Sequence, residues 1–364
     1  MIDTIRNAWK IIDLRKKILY TILMIIIFRL GSCIPVPLLD PAAMKEIFTS
    51  DNSLFGFIDV ISGGAFQNAT IFAMSITPYI NSSIIMQLLT VAIPALERLQ
   101  KQGEDGRKKI AQITRYGTVV LAFIQAIGLY FMLKSYNAVT NPGLLTAVVV
   151  IFTFTAGTAF LMWLGEQITE KGVGNGISLI IFAGIVSRLP SMAQSLYAYA
   201  KGGGIGLIGV VALLIMIVVV VGLVVMMNEA ERRIPVQYAK RVVGRKMYGG
   251  QSTHIPIKVA SAGVIPIIFA MSIMSFPSTI AGFFGVTSQT GGFWGGFLKI
   301  FSSTSWVYAI LYFLLIIFFT YFYTAIQFNP IEMSNNMKKN GGFIPGIRPG
   351  RPSSEYISKT LSRI

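Results

Sequence analysis

Residues 54–93 read LFGFIDVISGGAFQNATIFAMSITPYINSSIIMQLLTVAI, an apolar run of 40 residues with polar interruptions. Because a membrane-spanning helix needs about 20 residues, the run is too long for a single span. It breaks at Gly63-Gly64 and Gln67-Asn68 and then resumes as a segment that carries polar residues. These residues are Thr77, Pro78, Asn81, Ser82, Ser83 and Gln87. Such polarity is expected beside a protein interior or an aqueous path, not against lipid.

The composition of the whole chain predicts an all-α polytopic membrane protein. Of its 364 residues, 54% are hydrophobic and 13% are charged, against about a quarter charged in soluble domains. Apolar segments of spanning length are bounded by charges or turn signals. We predict eight such spans, at 18–36, 71–93, 115–134, 144–165, 177–197, 207–228, 257–284 and 305–328.

The distribution of positive charge predicts the orientation of these spans. The net charge of +16 could indicate a nucleic-acid partner, but 25 of the 31 Lys and Arg residues lie in alternate connecting segments. These segments are 1–17, 94–116, 166–171, 229–258 and 329–364. Cytoplasmic loops carry such an excess, so we expect both ends of this chain in the cytoplasm.

No catalytic or metal-binding pattern is found in the sequence. The only histidine, His254, is predicted in a loop without a cysteine or carboxylate cluster, and Cys33 is the only cysteine. The glycines at 172, 174 and 176 more plausibly form a tight turn into the next span than a phosphate loop. Ionisable groups are scarce in the spans, which argues against ion-coupled transport. Arg29 is the exception, and we interpret it as a structural cation satisfied by carbonyl groups.

The spans can be laid out as two halves of opposite orientation. The second span is interrupted by polar residues, and so is the segment 257–284. Interrupted helices at corresponding positions indicate an inverted repeat with a working path between the halves. We therefore predict a cytoplasmic amphipathic N-terminus at 1–17, a first half of five spans at 18–197, spans six to eight at 198–328, and a basic loop at 329–364.

Two features of this layout allow more than one interpretation. Ile76 and Ile80, like Ile177 and Ile181, stand four residues apart and share a helix face. They could form an apolar constriction that blocks ions by dewetting, or they could be ordinary packing residues. The long basic loops at 229–256 and 329–364 could contact anionic lipid, RNA or an acidic partner, or could reflect orientation alone.

Several motifs together resemble the SecY family, the channel subunits of the bacterial protein translocase. They are ITPYINSSIIMQLLT at 76–90, GEDGRKKI and TRYGT within 103–118, EKGVGNGISLIIFAGIV at 170–186, AERRIPVQYAKR at 230–241, AGVIPIIFA at 262–270 and GGFIPGIRPG at 341–350. The resemblance implies inverted five-helix repeats around a central pore, with eight of ten expected spans present. The two remaining spans are expected beyond residue 364.

The resemblance also implies two elements that can seal the pore. A ring of apolar residues would be formed by Ile76, Ile80, Ile177, Ile181 and Ile268. A short plug at 55–66 would lie on one side of that ring. Its residues include Phe57, Ile58, Val60, Ile61, Gly63 and Gly64.

A lateral gate and a docking surface are implied in the same way. Asn81, Gln87, Asn175 and Phe276 would line the gate, where polar side chains would hold it closed by interhelical hydrogen bonds. Arg245, Lys246 and Arg348 would dock the ATPase SecA or the ribosome. The implied partners are SecE and SecG, SecA, the ribosome, a preprotein with a signal sequence, and membrane lipid.

The function predicted is a non-enzymatic protein-conducting channel in the bacterial cytoplasmic membrane, without a cofactor or metal. It would export unfolded preproteins and release hydrophobic segments into the bilayer. The alternative is an uncoupled small-solute channel or transporter with inverted repeats, which would not need long basic loops or a plug. A membrane scaffold or intramembrane enzyme is disfavoured because no nucleophile, base or metal pattern lies in the spans.

Overall fold

A computed structural model describes most of the chain. The described residues are 9–40, 43, 59, 62–135, 137–201, 207–238, 241–243, 246–248, 252–260, 262–283, 296, 301, 305–328 and 330–363. The helices are α1 (Ile12–Gly31), α2 (Thr77–Ala92), α3 (Pro94–Lys101), α4 (Glu104–Ser135), α5 (Leu144–Lys171), α6 (Gly176–Ser187), α7 (Leu189–Lys201), α8 (Leu207–Glu229), α9 (Ile265–Phe283), α10 (Trp306–Gln327), α11 (Pro330–Lys339) and α12 (Arg351–Leu361). The strands are β1 (Glu231–Tyr238), β2 (Arg241–Val243), β3 (Lys246–Tyr248), β4 (Ser252–Lys258) and β5 (Gly342–Phe343).

A helix lies at each of the eight segments predicted to span the membrane. Among the described residues, five helices are long and apolar enough to cross a bilayer by themselves. A sixth is obtained if α2 and α3, bent by 100° where they meet before Pro94, are counted as one span. The helical membrane fold is therefore confirmed, whereas the number of eight spans stays a prediction.

The chain divides into two compact units. One comprises Met1–Tyr197 with Met271–Leu311, and the other comprises Ala198–Ala270 with Tyr312–Ile364. The predicted division into repeat halves at residue 197 stays a prediction, because compactness alone does not identify a repeat.

The first unit is held together by apolar clusters and by close backbone contacts. One cluster contains Phe28 and Ile76, both less than 2% exposed, together with residues of α5 and α6. A Cβ at Gly157 would lie 2.0 Å from the carbonyl oxygen of Ile71, and one at Gly176 would lie 2.0 Å from that of Gly165. These glycines allow the backbone of other segments to approach α5 closely.

The glycines at 172–176 form the tight turn that the sequence predicted. Gly174 has a φ of +73°, which glycine adopts at low cost. Thr21 of α1 accepts a hydrogen bond from the backbone nitrogen of Val173 at 3.1 Å. The side chain of Asn175 then caps α6 by accepting from the nitrogen of Ser178 at 3.1 Å. The turn is thus tied to α1 and leads directly into the predicted fifth span.

The second unit contains a small sheet that the sequence analysis did not predict. Strand β1 lies between β4 and β5, and both of its pairings are antiparallel. His254, expected in a loop, lies on β4 opposite Pro235. A separate hairpin pairs β2 with β3. The two long basic loops therefore contain regular structure, and β1 and β5 join one loop to the other.

An apolar core covers one face of this sheet. Its buried members are Ile234, Val236, Ile257, Met337, Ile344 and Ile357, contributed by β1, β4, α11, α12 and the residue after β5. Ser334 of α11 donates to the carbonyl oxygen of Gly350 at 2.7 Å, which connects α11 to the start of α12. We call the assembly of β1, β4, β5, α11 and α12 the sheet subdomain.

Candidate functional site

The end of the proposed plug, together with the residues after it, packs tightly against α6. Gly63 has a φ of +67° and Gly64 a φ of +89°, a backbone conformation that strongly favours glycine. A Cβ at Gly63 would lie 3.0 Å from the Cα and carbonyl oxygen of Gly184 and 2.8 Å from Nη1 of Arg29. We call residue 59 together with residues 62–70 the plug turn. The plug residues Phe57, Ile58, Val60 and Ile61 lie outside the described residues.

Backbone and short side-chain hydrogen bonds fix the shape of the plug turn. The carbonyl oxygen of Asp59 accepts from Ser62 Oγ at 3.0 Å and from the nitrogen of Gly64 at 2.9 Å. Ser62 Oγ accepts from the nitrogen of Phe66 at 3.2 Å. The side chain of Asn68 donates to the carbonyl oxygen of Gly64 at 2.9 Å. The buried polar groups of the turn thus find partners within it, as buried polar groups require.

A charge pair connects the plug turn to the end of α6. The side chain of Asp59 is 2% exposed and forms an ion pair with Arg188, whose side chain is 21% exposed. Asp59 Oδ1 accepts from the backbone nitrogen of Gln67 at 2.8 Å, and Arg188 Nη2 also donates to Gln67 Oε1 at 3.2 Å. Burial raises the pKa of the Asp59 carboxyl above its ordinary value, against the opposing effects of the Gln67 amide and the Arg188 charge.

Arg29 holds the plug turn from the side of α1. Its Nη1 donates to the carbonyl oxygen of Gly63 at 3.4 Å, and its Cζ lies 6.0 Å from the centre of the Phe28 ring. The prediction of a structural cation satisfied by a carbonyl group is confirmed.

The predicted pore-ring residues are only partly brought together in the described contacts. Ile76 belongs to one apolar cluster with Ala65 of the plug turn, and Ile80 and Ile177 pack against that cluster. Ile181 is half-buried one helical turn further along α6, and Ile268 is half-buried on α9 in the other unit. Because Ile76 is 0% exposed, it can contact a translocating chain only if part of this cluster moves.

The predicted gate residues show local hydrogen bonds instead of interhelical ones. Gln87 Nε2 lies 3.4 Å from Ser83 Oγ on the same helix, and Asn175 caps its own helix. Asn81 is buried, and its Oδ1 has no hydrogen-bond partner among the described residues. Phe276 lies on α9, where its side chain is outside the described part of the structure. The interhelical bonds expected from Asn81, Gln87 and Asn175 are not present among the described contacts.

A different residue of the interrupted span makes the contact with the next helix. Ser82 is 2% exposed, and its Oγ donates to the carbonyl oxygen of Thr114 on α4 at 2.9 Å. A Cβ at Gly117 would lie 2.7 Å from Ser82 Oγ. The sequence analysis noted Ser82 as polar but did not assign it this role.

The predicted docking residues belong to different local structures. Arg348 is exposed in the loop before α12, and its carbonyl oxygen accepts from Ser353 Oγ at 2.9 Å. Lys246 is the first residue of β3, and Arg245 lies outside the described residues. In the described part of the chain, no group of three His, Cys, Asp or Glu residues could hold a metal ion.

Fold and site together define a multi-pass helical membrane protein with an interrupted second span and a small folded sheet inserted between spans. The family model for SecY matches residues 70–364. Two bacterial proteins, from Halalkalibacterium halodurans and Streptomyces coelicolor, are named protein translocase subunit SecY. Each is 46% identical to this chain, and the two alignments cover 100% of this chain and 85% and 86% of the respective relative. The chain belongs to the SecY family.

Solved structures agree on the fold. A structure described as a protein conducting channel has a TM-score of 0.65 and 18% identity, covering 96% of this chain and 82% of the other. A second has a TM-score of 0.65 and 19% identity, covering 95% and 81%, and its description states that the plug domain of that SecY protein stabilises the closed channel and maintains a membrane seal. These comparisons do not favour a small-solute transporter, and the chain is a channel subunit and not an enzyme.

Two residues at the site were missed by the sequence analysis. Asp59 is the only acidic residue in the apolar run 54–93, and Arg188 is the only charged residue in the predicted span 177–197. A single charge in an apolar run is a usable signal, because a buried charge needs a partner. The identity of that partner, 129 positions away, required the fold.

Proposed function

We propose that this chain forms the conducting path of a bacterial protein translocase. It exports unfolded preproteins across the cytoplasmic membrane and releases hydrophobic segments sideways into lipid. The observation that carries the proposal is the apolar cluster that contains both Ala65 of the plug turn and Ile76 of the interrupted span. A plug that packs in one cluster with a ring residue seals a path that must otherwise stay open to a polypeptide.

The seal has two parts in this proposal. The plug at 55–66 covers the path, and a ring of isoleucines surrounds the chain in transit. The ring is formed by Ile76, Ile80, Ile177, Ile181 and Ile268. An apolar constriction of this kind excludes ions by dewetting while it accommodates side chains of different sizes.

The lateral gate involves Asn81, Gln87, Asn175 and Phe276. Asn81 supports this assignment best, since its buried Oδ1 has no partner in the described residues. A buried carbonyl oxygen without a donor is unfavourable. A passing polypeptide or signal helix with a free donor could satisfy it.

Docking and orientation complete the proposal. Arg245, Lys246 and Arg348 contact SecA or the ribosome, and SecE and SecG complete the channel. Both ends of this chain face the cytoplasm, as its positive charges favour. The segments 18–197 and 198–328 belong to the two inverted halves of the pore.

Site-specific crosslinking to a stalled preprotein tests the path. A photoreactive residue at 76, 80, 177, 181 or 268 should give a crosslink to the arrested chain. Residue 180 is the matched control, because Ile180 is as buried as Ile76 but is not a proposed ring residue and lies about 100° around α6 from Ile181. Crosslinks from position 180 at the yield of 181, or none from any ring position, would refute the proposed path.

A further inference from the structure

Two arginines from different parts of the chain contact the plug turn. Arg29 on α1 donates to the carbonyl oxygen of Gly63, while Arg188 pairs with the carboxylate of Asp59 and also bonds Gln67. Arg188 follows the last residue of α6, so its backbone is fixed by a helix end. The turn is thus attached to two predicted spans by charged groups.

The charge of Asp59 can be removed while the hydrogen bonds that shape the turn are kept. The carbonyl oxygen of Asp59 accepts from Ser62 and Gly64, and these bonds do not involve the carboxylate. Asp59 Oδ1 also accepts from the Gln67 nitrogen within the turn, and the amide oxygen of an asparagine can accept the same bond. What is lost is the connection to the end of α6.

Asp59 and Arg188 differ in burial, and this difference favours an ion pair that can separate. A charge pair in a poorly hydrated site is strong, but a lone buried charge is costly. Arg188 keeps 21% of its side chain exposed, so water can hydrate it after separation. Asp59 is 2% exposed, so it becomes hydrated only if the whole turn leaves its seat. The pair thus favours two states, seated or fully displaced.

We infer that Asp59 and Arg188 form a latch that positions the plug turn on α6, and that breaking this pair is the step that frees the plug. The inference rests on the proposed function, because it names the residues that regulate the proposed plug. Both side chains act as positioning residues and do not need to touch the translocating polypeptide. Breaking this ion pair then raises the proportion of channels with a displaced plug.

The test measures plug displacement in the full-length channel, assembled with its partner subunits in membrane vesicles. Cys33 is the only cysteine in residues 1–364, so a background with Cys33→Ser, and with any other cysteine of the assembled channel replaced, allows a single probe at Ser62→Cys, a position that is 0% exposed. The rate of maleimide labelling then reports how often the turn leaves its seat. Asp59→Asn and Arg188→Gln should each raise this rate about tenfold, because each leaves a charge unpaired.

The double variant separates a latch from two unrelated effects. If the two residues act through one contact, the double variant should label about as fast as either single one, and not about a hundredfold faster than the parent. Arg188→Lys, which keeps the charge, should label near the parent's rate. Glu97→Gln is the matched control, since it removes the exposed pair with Lys101 on α3, and it should change nothing.

The outcomes distinguish the latch from the plug itself. Unchanged labelling in both single variants, or rates that multiply in the double variant, overturns the latch. Deletion of residues 57–65 tests the proposed function independently, because it should increase ion leakage while export continues. If the deletion causes an ion leak but the single variants are labelled at the parent's rate, the plug assignment is retained and the latch is refuted. No leak after deletion refutes the plug.

Discussion

The plug turn and the sheet subdomain are built from different kinds of contact. The plug turn adds charged and backbone contacts to the apolar packing of Ala65 and Phe66: an Asp59–Arg188 pair, an Arg29 bond to a carbonyl, and glycines with positive φ. The sheet subdomain relies on its apolar core, with Val236 and Ile357 each 0% exposed. Both regions contain buried side chains, but among the described residues only the plug turn buries a charged one.

The difference indicates which region can move without unfolding. Charged and polar groups regain hydration when a contact opens, so the net free energy of the contact is modest. Apolar groups regain nothing from water, and their exposure costs about 25 cal/mol per Å². We therefore expect the plug turn to leave its seat as a unit and the sheet subdomain to stay folded during transport.

The largest expected effect is in the core of the sheet subdomain. Ile257→Ala removes a side chain that is 1% exposed, and the resulting cavity should lower the free energy of unfolding of the subdomain by about 3 kcal/mol. Limited proteolysis of membrane vesicles along a temperature series measures this, with cleavage in the segments 229–258 and 329–364 as the signal.

His254→Ala is the matched control for that variant. His254 lies on the same strand but is exposed, so its loss should change stability by less than about 0.5 kcal/mol. Equal protease sensitivity in the two variants would mean that the subdomain has no stabilising apolar core, and the contrast with the plug turn would disappear.

A smaller effect is expected at the seat of the plug turn. Gly63→Ala adds a Cβ at a φ of +67° and 3.0 Å from the backbone of Gly184, so the seated state should lose about 2 kcal/mol. The measurement is ion conductance of reconstituted channels, which should rise by more than about tenfold, while protease resistance of the sheet subdomain stays unchanged.

Gly174→Ala is the control that distinguishes the effect of backbone strain from the effect of the contact between residue 63 and Gly184. Gly174 has a φ of +73°, but a Cβ there would meet nothing within 4 Å. The substitution carries similar backbone strain without touching the plug seat, so ion conductance should stay at the parent's value. A leak of equal size from both alanine variants would show that the seat contact is not the cause.

The fold of the helical part could be predicted because its signals are local. Runs of about 20 apolar residues and the break at Gly63-Gly64 lie within single segments of sequence. The pairing of Asp59 with Arg188 could not be predicted, since nothing local indicates which distant charge fills the site. The resemblance to SecY supplied the ring, plug and gate assignments, which length and periodicity alone left open.

The strands of the sheet subdomain were missed for a different reason. Pro235 and Pro256 lie within β1 and β4, and proline argues against a strand in the interior of a sheet. The alternation of buried Ile234 and Val236 with exposed neighbours was nevertheless visible in the sequence. The period of two in this basic loop is therefore a better signal for a strand than the two prolines are against one.

The smallest structural effect is expected at Arg348, on the surface of the sheet subdomain. Arg348→Glu alters an exposed side chain, so the free energy of unfolding should change by less than about 0.5 kcal/mol. If the subdomain is a rigid docking platform, preprotein export should nonetheless fall, while insertion of the channel itself into the membrane continues. Lys339→Glu makes the same charge change at another exposed position of the subdomain and should export normally. A guanidinium that binds carboxylate or phosphate acts by its geometry and not by net charge alone, so a docking role predicts a loss of export only in Arg348→Glu. Equal losses of export in both variants would indicate a general effect of charge and contradict that role.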